Sequence, residues 1–334
     1  MFLLGLEYGG ISYPWDSPTV ICLIVFGLVL ISLFFLNEWK IAKYPIMPLR
    51  IFKYRSNIAS LVVCFIHGML FMSGTFFLPL YFQTVLGANP ILSGVYLFPY
   101  VLSLSIVSAI VGIFIKKTGQ YLPAIWFGMV VMTLGFGLYI DLPSGPHSWA
   151  RIIVFQLIAG VGTGPNFQSP LIALQTKIHP KDIASATATF GFTRNISTAI
   201  SVVIGGVIFQ NGIGMRRGTL SASVGQRIAH ELAGGGAGAS TGIVKGLPPG
   251  QKEVVTRAYT DSFKIMWVFY TCVAAVGVAV SLMIQKQPLS TQHEMQKTGL
   301  AEQEKARRER LSEQQARKLK RGGLESADKC KGEV

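Results

Sequence analysis

The chain has 334 residues, of which half are apolar and only 14% are charged, and its mean hydropathy is +0.46. Such a composition belongs to a polytopic membrane protein and excludes a soluble domain of this length. Thirty Lys and Arg against 16 Asp and Glu give a formal charge of +14, an excess that is mostly topological.

In chain order, residues 1–6 are an apolar scrap too short to cross a bilayer, which reads as the end of a span belonging to something larger. No Lys or Arg precedes it and no small-residue cleavage site follows, so it is not a signal peptide. Crossing the hydrocarbon core takes about 20 mostly apolar residues. Seven segments qualify: 18–36, 58–83, 91–115, 121–140, 149–174, 183–210 and 265–285. Basic residues mark the cytoplasmic loops. Lys40, Lys43, Arg50, Lys53 and Arg55 lie between the first two spans, Lys116 and Lys117 between the third and fourth, Lys177 and Lys181 between the fifth and sixth. The stretch before Pro18 and the loop 84–90 have none, and the loop 141–150 is followed by Arg151 alone. The N-terminus is therefore expected outside and the C-terminus in the cytoplasm, as if an odd number of spans had been removed from the front of a protein with both ends inside.

Two hydrophilic blocks remain. Residues 212–264 are expected outside, with a Gly-rich centre at 234–238 and a turn at Pro248, Pro249 and Gly250. From Gln251 the pattern Val254, Val255, Ala258, Ser262, Phe263 predicts a short amphipathic helix on the outer membrane surface, leading into the last span. The tail 286–334 carries 12 basic and eight acidic residues. Residues 302–311 can form a helix but have almost no apolar face, so the tail reads as a largely disordered cytoplasmic extension. It suits contact with anionic lipid headgroups better than nucleic acid, since its charges are of mixed sign. Cys22, Cys64 and Cys272 fall inside spans and Cys330 in the tail, which leaves no disulfide framework and no metal-ligand spacing. No cofactor motif is present. The sequon at Asn195 lies within the sixth span, out of reach of glycosylation.

Inside the spans, small residues four apart (Ser108/Gly112, Thr133/Gly137, Gly160/Gly164) predict close helix packing. Helix-breaking residues stand in mid-span: Gly74 and Pro79 in the second, Pro99 in the third, Gly164, Pro165 and Pro170 in the fifth. Carbonyls freed there need partners in protein or in a water-filled cavity. Polar side chains gather in the same helices, with His67 and Gln83 in the second span and Gln156, Asn166 and Gln168 in the fifth. Arg194 stands about one turn into the apolar part of the sixth. An ionisable residue in a span marks function by default, against which Arg194 could snorkel to the headgroups and His67 could simply bond a neighbouring helix. The amides serve equally as interhelical glue. No Asp or Glu lies within any span. A coupled proton would then ride on an acid upstream of Met1 or on His67, or transport is not proton-coupled.

Residues 78–85 (LPLYFQTV) with Ser93, Gly94 and Pro99, residues 159–170 (AGVGTGPNFQSP), residues 184–189 (ASATAT) with Arg194, and residues 205–209 (GGVIF) resemble the C-terminal half of the major facilitator superfamily. Within it they look closest to the fourteen-span drug:proton antiporter branch of fungi. Residues 7–17 are similar to the loop joining the two extra spans of that branch, and the resemblance runs from about Met1 to Gln285. It implies an all-α fold with two inverted three-helix repeats, 58–140 and 149–285, whose first helices line a central cavity. One linker span precedes them, for seven spans in total. The implied division is 1–57 for the remnant and linker, 58–285 for the six-helix half and 286–334 for the tail. The family's cytoplasmic loop motif is matched by Gly112, Lys117 and Gly119, whereas Lys116 replaces its acid and Gln120 its second base.

The implied activity is proton-driven export of small amphipathic toxic compounds or secondary metabolites by alternating access, in the plasma membrane or else the vacuolar one. In that scheme Gly74, Pro79, Pro99, Gly164 and Pro165 bend the helices. Gln83, Gln156, Asn166 and Gln168 offer hydrogen bonds, with His67, Phe71, Phe77 and Phe167 beside them, and Arg194 binds an anionic group or a gating carboxylate. The alternatives are a non-transporting or regulatory half that lacks its N-terminal partner half, and a seven-helix receptor. The receptor lacks support from an external cysteine pair, an Asp in the second span or an Asn-Pro-x-x-Tyr in the last. A membrane enzyme fits least, because no His, Asp and Cys converge on one face.

Overall fold

A computed structural model describes residues 1, 4–5, 8, 13, 16–38, 49–143, 148–178, 182–234, 240–286, 305, 307–308 and 312. Long helices dominate. Five are long and apolar enough to cross a membrane: 55–84, 98–118, 122–141, 183–215 and 249–281. Lys40, Lys43, Lys181 and Cys330 lie outside the described residues, as does most of the helix expected at 302–311.

Helix α1, Pro18–Leu36, opens with a proline whose missing N–H is one the first turn leaves unbonded in any case. Its Val25, Phe26, Leu30 and Leu33 are exposed, which suits hydrocarbon. Phe34 stacks on Phe192 at 5.4 Å. A 3-10 turn, Leu49–Lys53, tucks Ile51 into a small apolar cluster with Leu61, Cys64, Leu174, Ala186 and Phe190. Helix α2, Arg55–Thr84, then runs unbroken through both Gly74 and Pro79. Ending the helix there would leave several backbone groups without partners in an apolar medium, against the single N–H that proline lacks.

The third expected span is two helices, α3 (Pro90–Tyr96) and α4 (Phe98–Thr118), divided at Leu97. Pro99 is consequently in the first turn of α4, where a proline disturbs no helical bond, and it is not a mid-span breaker. Asn89 caps α3 by accepting from the Leu92 N–H at 2.7 Å. Gly119 ends α4 at φ +68°, donating its N–H to the Ile115 carbonyl. That left-handed cap is a conformational reason for a glycine in the loop motif. Gly112 of the same motif faces open space, and Lys116 and Lys117 are exposed.

Helix α5, Leu122–Leu138, finishes in a 3-10 turn at Tyr139–Asp141. The fifth expected span is interrupted: α6 (Trp149–Thr163) gives way to a 3-10 turn, Gly164–Phe167, before α7 (Ser169–Gln175). Helix α8, Ile183–Met215, continues past the expected end at 210. Three shorter helices follow: α9 (Arg217–Val224), α10 (Gln226–Gly234) and α11 (Ser240–Lys245), the first two joined at Gly225 with φ +85°. Gly235–Gly238 of the Gly-rich centre lie outside the described residues.

The short surface helix expected from Gln251 does not exist as such. Residues 249–281 form one 33-residue helix, α12, whose Val255, Tyr259, Ser262, Phe263, Met266, Tyr270, Ala274, Gly277 and Ser281 are buried at helical spacing. Its first turns pack in the bundle: Phe263 contacts Phe209 at 4.5 Å, and a Cβ on Gly212 would lie 2.9 Å from Ser262. The charges that hid this continuity, Asp261 and Lys264, pair with each other, and Asp261 also pairs with Arg216.

Helix α2 packs against α7, α8 and α12, while α6 is held between α4 and α5. Of the three small-residue pairs, Gly160/Gly164 makes the close approach, lying on the backbone of Tyr100, Leu104 and Ser108 in α4. Gly112 meets nothing, and a Cβ on Gly137 would make ordinary contact at 3.7 Å. Residues 290–334 form a separate unit. Of it, the described Lys305, Arg307, Arg308 and Ser312 are helical and exposed.

Candidate functional site

The two segments expected to line a cavity, α2 and α6–α7, meet where the latter breaks. Gly164 and Pro165 tighten the chain into the 3-10 turn, and Pro170 has no N–H to restore an α-helical bond to Asn166. The turn leaves Thr163, Asn166 and Phe167 facing different helices.

His67 is fully buried on α2, with Nε2 3.1 Å from the Thr163 carbonyl oxygen. A carbonyl only accepts, so this ring nitrogen carries the hydrogen and Nδ1 presents a lone pair. Nδ1 is buried without a partner. The Phe167 ring sits edge-on to both the His67 ring (4.9 Å) and the Phe71 ring (5.1 Å).

Arg194 closes the group from α8. Its Nη2 donates to the Phe167 carbonyl at 2.6 Å, and its guanidinium carbon lies 5.0 Å from the centres of both the Phe167 and Phe190 rings. Cation–π contact with each ring contributes about 0.5–2 kcal/mol. Arg194 Nε is buried with no partner, and among the described residues no carboxylate pairs with this arginine. The side chain is thus aimed at the helix break and not back along α8, which removes the snorkelling reading. At 1.5 Å per residue, Arg194 is about 17 Å along α8 from Ile183, and His67 about 18 Å along α2 from Arg55. Both therefore stand about three turns in from the start of their helices. On insertion scales a central arginine costs about 2.5–3.5 kcal/mol.

The amides are distributed differently. Asn166 is buried, donates weakly to the Gly162 carbonyl (3.4 Å), and lies against Gly128 of α5, with Oδ1 unpartnered. Gln156 is buried on α6 and its Oε1 has no partner. Gln83 donates to Ser93 Oγ at 3.0 Å, tying α2 to α3 about 24 Å along the helix from His67. Gln168 is exposed at the turn. The structure therefore brings His67 and Arg194 together through Phe167 and leaves Gln83 and Gln168 apart from them. Gly74 admits Tyr100, whose hydroxyl is 3.4 Å from Thr163 Oγ1, while Pro79 lies farther along α2.

Several participants were not singled out in the sequence. Ser201 Oγ donates to the Met69 carbonyl at 2.7 Å, and Tyr270 OH donates to the Ser201 carbonyl at 2.7 Å, joining α2, α8 and α12 beside the site. Gly68 leaves room for Ser197, and Gly205 for Phe77 and Tyr270. The signal available was the stripe Ser197, Ser201, Gly205, small residues four apart on one face of α8.

Over residues 2–202 the chain matches the family described as the Major Facilitator Superfamily. It is 52% identical to the efflux pump dotC of Dothistroma septosporum over 295 residues, 88% of this chain and 50% of that protein. It is 48% identical to the MFS-type transporter ppz2 of Metarhizium majus over 294 residues, again 88% and 50%. An MFS-type transporter of Aspergillus terreus is 40% identical over 303 residues, 89% of this chain and 54% of that one. The chain spans about half the length of the curated relatives it matches.

Proposed function

This chain belongs to the major facilitator superfamily and is an integral, multi-pass membrane protein, and we propose that it forms a six-helix half of an efflux transporter. The half comprises residues 58–285, preceded by the linker helix α1 and followed by the tail. It exports small amphipathic compounds by alternating access, with the N-terminus outside, the C-terminus in the cytoplasm and the plasma membrane as its place of work. Several relatives are named efflux pumps, which supports the direction of transport.

The observation that carries this reading is the meeting of α2 and the interrupted α6–α7, with His67, Phe167 and Arg194 at the break. Secondary transporters bind substrate near the midplane at discontinuous helices, where a break supplies both a hinge and free backbone groups. Gly164 and Pro165 are the hinge in this proposal, and displacement of Phe167 opens the site. His67 Nδ1 is the available proton acceptor if export is proton-coupled. A seven-helix receptor is set aside by family membership.

Alternating access needs two six-helix halves moving against each other, so a second half, covalently joined or separate, completes the transporter. The test is efflux of a fluorescent amphiphile, rhodamine 6G or 3-hydroxy-2-naphthoate, from yeast deleted for its own drug exporters. Cells making the chain with the N-terminal half of the efflux pump dotC should extrude at least one probe, and a protonophore should abolish extrusion. Extrusion by neither the pair nor the chain alone favours the regulatory, non-transporting reading.

A further inference from the structure

The cluster at the helix break contains two polar atoms of opposite character with no hydrogen-bond partner among the described residues. Arg194 Nε is a donor and His67 Nδ1 an acceptor, both buried and unpartnered. They flank one aromatic ring: the Arg194 guanidinium carbon is 5.0 Å, and the His67 ring centre 4.9 Å, from the centre of Phe167. The Phe167 carbonyl occupies Nη2 of the arginine, which leaves the positive charge itself without a counter-charge among the described residues. Phe71 and Phe190 add apolar surface on either side.

We infer that Arg194 and His67 form the recognition site for an aromatic organic anion, whose carboxylate meets the guanidinium and whose hydroxyl donates to His67 Nδ1. The inference rests on the transporter reading and adds the substrate class to it. Arginine suits this task because its planar fork holds a carboxylate through two parallel hydrogen bonds, and a guanidinium is less strongly hydrated than an ammonium. The ligand's ring system takes the place of Phe167 between Phe71 and Phe190 once the 3-10 turn swings that side chain away. A neutral amphiphile leaves the charge unanswered, and a cation meets repulsion. The same carboxylate chemistry could be supplied by an acidic side chain of a second six-helix half, and the experiment separates the two sources.

The full chain, purified in detergent, is titrated with 6-hydroxy-2-naphthoate, whose hydroxyl and carboxylate lie at opposite ends of the ring system, with its methyl ester and with 2-naphthoate, and binding is read from probe fluorescence. The hydroxynaphthoate should bind saturably and at least tenfold tighter than its ester. Arg194→Gln should reduce that ratio below twofold, and Arg194→Lys, which keeps the charge but loses the fork, should lower it at least threefold. His67→Phe should erase the preference for hydroxynaphthoate over naphthoate while keeping the preference for acid over ester. Equal binding of acid and ester to the wild-type chain, or an acid preference untouched in both arginine variants, overturns the assignment. Co-purification with a second half distinguishes the sources: retained acid binding supports a free ligand, whereas its loss assigns the carboxylate to that half and overturns the free-ligand proposal. Extrusion of the ester from cells with no preference for the acid sinks this inference and leaves the transporter reading standing.

Discussion

The two sides of α6 are built on opposite principles. Toward α4 and α5 the helix is all close approach: a Cβ on Gly162 would strike the Met132 backbone, one on Gly135 would strike Ala159, and one on Gly160 would strike the backbone of Tyr100 and Leu104. Toward α2 and α8, at the break just beyond, lie His67, Phe167 and Arg194, with a charge unpaired among the described residues and buried atoms lacking partners. The first interface is close backbone contact and carries no charge; the polar atom left over beside it, Asn166 Oδ1 next to Gly128, is a neutral amide oxygen. In a membrane, where lipid tails are as apolar as leucine, such packing is what holds helices together. The second interface forgoes that saturation, and unsatisfied groups of this kind are the usual mark of a place that must change partners. Rigidity and reactivity are thus assigned to adjacent surfaces of a single helix.

Five substitutions sharpen or break the contrast. Gly162→Leu should have the largest effect, because neither backbone can move without separating α5 from α6. Overpacking typically costs 1–3 kcal/mol and more against backbone, so monodisperse protein should be lost in detergent chromatography. Gly112→Leu, facing open space, should leave the elution profile unchanged. Arg194→Met comes next and with the opposite sign for stability. Losing a charge that costs about 2.5–3.5 kcal/mol at the centre of a span offsets the lost hydrogen bond and ring contacts, so the melting temperature should hold or rise while binding of 6-hydroxy-2-naphthoate disappears. A fall of more than about 2 kcal/mol would make Arg194 a structural strut. Tyr270→Phe removes the donor to Ser201, and interhelical bonds of this type average about 0.6 kcal/mol, with a maximum near 1.7. A small drop in melting temperature is expected, with probe binding within twofold of wild type. Gln83→Ala breaks a half-buried side-chain bond far from the break and should change stability by about 0.5 kcal/mol or less, with no effect on probe binding.

Much of the architecture was legible because bilayer thickness fixes helix length, and the apolar runs found in the sequence all fall on helices. The departures have physical causes. Leu97 interrupts the third segment with no glycine or proline at that position, whereas Pro79 and Gly74 interrupt nothing, since surrounding helices support the backbone on both sides of them. The length of α12 was hidden by Arg257, Asp261 and Lys264, charges on one side of a helix whose other side is continuously buried. At the candidate site, residue types pointed to α2 and α6–α7, which the structure brings together, but not to directions. Asn166 and Phe167 are neighbours in sequence, yet a 3-10 turn sends one toward Gly128 of α5 and the other toward His67 of α2. Thr163 enters through its backbone carbonyl, a group that every residue has and that no sequence reading can single out.

Helix α12 extends without interruption for 33 residues, about 50 Å, longer than the bilayer core is thick. Toward one end, about a third of the way along, Asp261 pairs with Arg216, the C-cap residue of α8. Just past the other, the Gln285 carbonyl accepts from Tyr121 OH at 2.9 Å, its N–H donates to Ser56 Oγ at 3.2 Å, and its side chain accepts from Lys177. Such a beam has no joint in which a displacement could dissipate. Any tilt of the helix therefore reaches the shared knot of α2, the start of α5 and the chain after α7 only through the turn at 282–285, the coupling between beam and anchor.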